Sequence, residues 1–105
     1  MKINQETNCL TLVAEEDFLF NKAEKIQATL VKALESCQST SVVLDLTQTT
    51  VMDSIGIKLL LGLYKSCQQK GLSLQVDVSS ETIIRLFQLC QLHNLLNIRE
   101  VQANV

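Results

Sequence analysis

The stretch VVLDLTQTTVMDSIGIKLLLGLYK, residues 42–65, decides the fold. Together with Ser41 its first residues give SVVLDL (41–46), nearly all apolar and β-branched at the start, the composition of a parallel strand covered on both faces. The polar TQTT follows. Val51-Met52 then leads into Asp53-Ser54-Ile55-Gly56, where a leucine-rich helix begins. The pattern predicts helix over residues 54–69, stopped by Lys70-Gly71.

Working outward, LSLQVDV (72–78) alternates, with Leu72, Leu74, Val76 and Val78 on one side and Ser73, Gln75 and Asp77 on a wetter one. Ser79 or Ser80 caps a third helix, with Glu81 near its positive end and Ile83, Phe87 and Cys90 as its buried stripe. A last strand is expected near 96–101. Upstream, residues 21–37 are helical, with Asn21 as cap and Ala23, Ile26, Leu30, Ala33 or Leu34, and Cys37 on one stripe. Residues 1–4 and 9–14 read as a hairpin around a turn in NQETN. The order is β-β-α-β-α-β-α-β. It predicts one α/β domain over 1–105, a mixed and mostly parallel sheet packed by helices through right-handed crossovers. In such sheets function gathers where strands end and helices begin, and DSIG occupies such a place.

Composition narrows the function. Of 105 residues, 47% are hydrophobic, enough for a real core, and the net charge of −2 with four aromatics and no Trp argues against a nucleic-acid surface. No apolar run reaches the roughly 18 residues of a membrane helix, because Lys58 interrupts the longest. MKINQETN is too polar for a secretion signal. The expectation is a cytoplasmic protein, or the soluble part of something larger, with no direct membrane insertion. Cys9, Cys37, Cys67 and Cys90 form no CxxC pair and there is one histidine, so no metal site is expected. The cysteines read as small core hydrophobes in a reducing compartment. Asp45 and Asp53 alone specify no cation. Asp45 belongs to the strand end, and Asp77 reads as solvated. Tyr64 is expected to pack its ring in the core.

An enzyme is not expected, and no catalytic residues or cofactors are assigned. A serine nucleophile needs a base in reach; His93 reads as a surface or helix-end residue, and Glu15, Glu16 and Asp17 as a solvated loop. Neither GxxxxGK nor GxGxxG is present.

On a helical wheel at about 100° per residue, Ile57, Leu60, Leu61 and Tyr64 share one face of the central helix and form the expected core stripe. Ile55, Leu59 and Leu63 lie on roughly the opposite face. That second stripe is covered by a neighbouring helix of the same domain, or consists of ordinary scattered surface leucines, or is a surface for a partner. It begins beside Ser54.

Ser54 or Asp53 suffices as an N-cap, worth about 1 kcal/mol. The same geometry suits a modification. A helix start concentrates unpaired N–H donors, and phosphoserine adds about −1.5 to −2 charges. At the edge of the Ile55/Leu59/Leu63 surface that charge would block docking, with Asp53 sharpening the repulsion and Gly56 admitting a partner backbone.

Leu44-Asp45-Leu46, Val51-Met52 and Asp53-Ser54-Ile55-Gly56 resemble the STAS domain, shared by anti-sigma-factor antagonists and sulfate transporters. The order of elements fits across nearly the whole chain. The resemblance implies a mixed sheet with packed helices and a protein switch of the anti-sigma-factor-antagonist type. It implies that Ser54 is phosphorylated by a serine kinase that is also the anti-sigma factor. A metal-dependent serine phosphatase then removes the phosphate, and the unphosphorylated form binds the kinase through Asp53, Ile55, Gly56, Leu59 and Leu63. The chain departs from the antagonist pattern in EDFLFNKAEK (16–25), which has no glycine and carries Leu19 near the expected acid. FLFNKAEKI resembles the transporter branch, so the alternative is a STAS regulatory domain or subunit of a SulP-type anion transporter or of a lipid ABC transporter. The residues do not decide between a monomer and a weak homodimer.

Overall fold

The computed structural model describes residues 1–102. β1 (Lys2–Gln5) and β2 (Cys9–Val13) form an antiparallel hairpin, with Lys2 opposite Val13 and Gln5 opposite Leu10. β3 (Ser41–Leu46), β4 (Ser73–Val78) and β5 (Asn97–Glu100) add in chain order, each parallel to the strand before it. Helices α1 (Ala23–Glu35), α2 (Ser54–Gln69) and α3 (Glu81–Leu89) make the crossovers.

Three right-handed crossovers advancing in one direction put all the helices on one face of the sheet. Burial agrees: Leu10, Leu12, Val42, Leu44, Leu46, Val76 and Val78 are buried, while Thr11, Val13, Val43 and Asp45 between them are half-buried. The expectation that β3 is covered on both faces is therefore corrected. Among the described residues its second face is only half-buried.

β3 and α2 have the predicted bounds. Gly71 ends the central crossover at φ +70, a left-handed conformation that costs glycine little. From there its N–H bonds to the Gln68 carbonyl, and Leu72 N–H to that of Cys67. α1 departs from expectation. It is entered through a 3-10 turn, Phe20–Lys22, and Lys22 rather than Asn21 stands at the cap, without a side-chain hydrogen bond. Ile26, Leu30, Ala33 and Leu34 are buried as expected, whereas Ala23 and Cys37 are half-buried. In α3, Ser80 Oγ accepts from Ile83 N–H, and Ile83 and Phe87 are buried. Cys90 is exposed, against expectation, because the helix ends at Leu89; Leu92 and Leu96 fill the core beyond it.

Asp77 is not solvated. It is 6% exposed although it stands on the open face. The register places Arg99 beside it, and the guanidinium forks onto the carboxylate at 2.8 and 3.1 Å. The Gln75 amide donates a third hydrogen bond at 2.8 Å. A buried carboxylate is tolerated only when satisfied in this way, and the pairing ties β5 to the sheet.

Candidate functional site

At the carboxyl end of β3 the chain turns sharply. Asp45 Oδ1 accepts from Thr47 N–H and Oγ at 2.9 and 2.6 Å, and Thr49 N–H bonds back to the Leu46 carbonyl. The residues that follow are laced to the segment after β2. Thr49 is fully buried and its hydroxyl donates to the Glu16 carbonyl at 3.2 Å. Asp17 Oδ1 accepts from the Thr50 and Val51 amides at 2.8 and 3.2 Å and from the Thr50 hydroxyl. These bonds hold the Asp17 carboxyl below its ordinary range, the Thr50 amide most of all. Asp17 thus anchors the loop and is more than one acid in a solvated run.

Phe18 completes the lacing. Its N–H bonds to the Val51 carbonyl and its own carbonyl accepts from Asp53 N–H, each at 3.2 Å, around a parallel bridge to Met52. Its ring is fully buried. On the other side, the Ser80 hydroxyl donates to the Thr50 carbonyl at 3.3 Å. The loop before α2 is thereby clamped between the start of α1 and the start of α3.

Asp53 caps α2 from an extended backbone, and its carboxylate accepts from Gly56 N–H at 2.9 Å. Ser54 is the first helical residue and is exposed. Below it the buried stripe of α2 is Gly56, Leu60, Leu63 and Cys67. This corrects the wheel, which put Ile57, Leu60, Leu61 and Tyr64 inward and Leu63 outward. Ile57, Leu61 and Tyr64 lie half-buried on one flank of that stripe, and Ile55 and Leu59 lie half-buried on the other. The helix lies flat on the sheet, so its apolar arc is wide and centred between the two expected faces. Leu63, at 3% exposed, belongs to the core. Gly56 is buried and admits its own chain rather than another: a Cβ there would meet the Phe18 carbonyl and, at 2.6 Å, Met52 Cγ.

Ile55 and Leu59 reach the wall of a groove of about 350 Å3 between α2 and α1. Lys58 and Gly62 line it from the same helix, and Ala23, Gln27 and Val31 from the other. Val31 and Val51 are both about half exposed, at 50% and 45%. The exposed Ser54 hydroxyl, a capping carboxylate and a mostly apolar groove therefore run together along one edge of the molecule.

His93 stands in the turn after α3, its Nε2 3.8 Å from Glu100. Among the described residues no group of His, Cys, Asp and Glu is arranged to hold a metal, and no helix is long and apolar enough to cross a membrane.

The STAS domain family matches residues 1–105. The chain belongs to the STAS domain family. Among curated relatives, the anti-sigma-B factor antagonists of Listeria monocytogenes and Listeria innocua are each 31% identical to this STAS domain over 62 residues. Those alignments cover 59% of this chain and 54% of each relative, so the match spans about half the length of those proteins. Solved structures share the STAS fold. A Thermotoga maritima protein described as an anti-sigma factor antagonist superposes with a TM-score of 0.84 at 14% identity, over 96% of this chain and 86% of that one. The anti-sigma factor antagonist SpoIIAA in its unphosphorylated form gives 0.79 at 18% identity, over 96% and 87%. The phosphorylated form of SpoIIAA from Bacillus gives 0.67 at 19% identity, over 96% and 90%.

Within this STAS domain, Asp53, Ser54, Ile55 and Leu59 come together at one rim, while Gly56 and Leu63 support it from beneath. Asp17 and Phe18, which hold the rim in place, were not among the residues expected to matter. The signal available for them was weak: a short apolar run, Phe18-Leu19-Phe20, directly after three acids, in a segment with no glycine.

Proposed function

We propose that this STAS domain is a non-enzymatic phospho-switched adaptor, an anti-sigma-factor antagonist. Unphosphorylated, it binds an anti-sigma factor that is also a serine kinase; phosphorylated on Ser54, it releases it; a metal-dependent serine phosphatase resets it. The observation that carries this reading is the position of Ser54, exposed at the first turn of α2 and adjacent to Ile55 and Leu59 of the α1–α2 groove. Phosphate here adds a dianion at the rim of an apolar contact. A partner closing over it must strip its water, at several kcal/mol, while the fold beneath, set by Asp53, Gly56 and Phe18, need not move. The Listeria relatives carry the antagonist name, and SpoIIAA has been seen in both phosphorylation states. The contact surface on this reading is Asp53, Ser54, Ile55 and Leu59.

Intact mass and site mapping of the protein from its native cell, with and without phosphatase treatment, test the assignment. One phosphate on Ser54, lost on treatment, is expected. Phosphate only on other residues, or none under any growth condition, removes it.

A further inference from the structure

We propose that a phosphate on Ser54 is gripped within the chain by Lys58, one helical turn along, so that modification also withdraws the groove's cation from a docking partner. The inference rests on the reading of Ser54 as the modified residue. Both lie on α2 and both are exposed. Residues four apart on a helix stand about 5–6 Å apart at Cβ, and an acid N-terminal to a base is the favourable order at that spacing. Lys58 is the single charged residue between positions 54 and 64. It lines the groove beside Ile55 and Leu59, while α1 offers that groove Ala23, Gln27 and Val31, none of them charged.

Unmodified, the groove therefore presents one ammonium on an apolar wall, which suits an acidic side chain of a partner. With phosphate in place, that ammonium has a dianion within reach on its own helix. The partner then meets two changes at once: a new negative charge at the rim and the loss of its cationic contact.

The test installs phosphoserine at position 54 during translation, so no kinase is involved. The second ionisation of the phosphate is followed by 31P NMR in otherwise wild-type protein and in the Lys58→Gln and Lys58→Arg variants. Gln keeps the helix and removes the charge; Arg keeps both. The phosphate is expected to titrate about 0.3 pH unit lower with Lys or Arg at position 58 than with Gln, the size of a helical ion pair. The other charges around the helix start, on Asp53, Asp17, Lys22 and Glu81, are common to all three proteins and cancel. Identical titration of the Lys58→Gln protein overturns the proposal. A Ser54 that no cellular kinase modifies would sink the switch reading instead, and this titration would be unaffected.

Discussion

The backbone carbonyl of Phe18 occupies the space that a side chain on Gly56 would need. The same carbonyl accepts from Asp53 N–H, so one atom sets both the entry to α2 and its distance from the segment after β2. Replacing Gly56 by Ala forces backbone to move, since the Met52 side chain can shift but the Phe18 carbonyl cannot. We expect Gly56→Ala to cost about 1–3 kcal/mol, the usual range for overpacking, and to lower Tm by several degrees in thermal denaturation. An unchanged Tm would contradict the packing described.

Gly62 is the opposite case. A Cβ there meets nothing within 4 Å, and its position inside a helix costs up to about 1 kcal/mol relative to alanine. Gly62→Ala should therefore raise Tm, by roughly 4–8 °C for each kcal/mol in a domain of this size. The same variant narrows the groove, so weaker binding of a groove partner alongside higher stability is the expected pair of results.

Asp17 makes stability depend on pH in a defined direction. Its folded-state carboxyl titrates below the ordinary 3.8, chiefly because the Thr50 amide bonds to the ionised form. A carboxyl lowered by folding contributes fully above its unfolded value, and that contribution is lost as pH falls through the folded value. Asp17→Ala should be less stable than wild type at neutral pH, with the gap closing once pH drops below 3.8. A gap that stays constant into strong acid would show that the carboxylate's charge is irrelevant.

The cysteines should separate by reactivity. Cys90 is exposed and Cys67 is buried, its thiol pushed up to about 11 by burial and then by Cys37. The thiolate is the reactive form. Alkylation of native protein in mild base should label Cys90 first and Cys67 only on unfolding. Peptide mapping over time checks the order, and early labelling of Cys67 would contradict it.

The parts legible in the sequence were those governed by local rules. The bounds of β3 and α2 follow from a β-branched run, an Asp-Ser pair able to cap and a Gly stop, all read within a few residues. What was missed depends on contacts distant in sequence. Asp17 and Phe18 matter because residues about 33 positions away fold onto them. Asp77 is buried because β5 brings Arg99 alongside. The inward face of α2 was misplaced because a wheel finds apolar arcs but not the helix's roll on the sheet. That roll is set by the close approach of Gly56 to Phe18. The outer partners of the site, Ser54 and Asp53, stood out by type and spacing; the scaffold holding them did not.

On the proposed reading, charge at the Ser54 hydroxyl controls docking. Calorimetric titration of the cognate anti-sigma kinase against unmodified protein and against protein carrying phosphoserine at position 54 tests it directly. Desolvating a phosphate dianion, whose charge a single lysine does not neutralise, predicts a loss of at least about 100-fold in affinity, with identical circular dichroism for the two forms. Equal affinity for both forms would contradict the account.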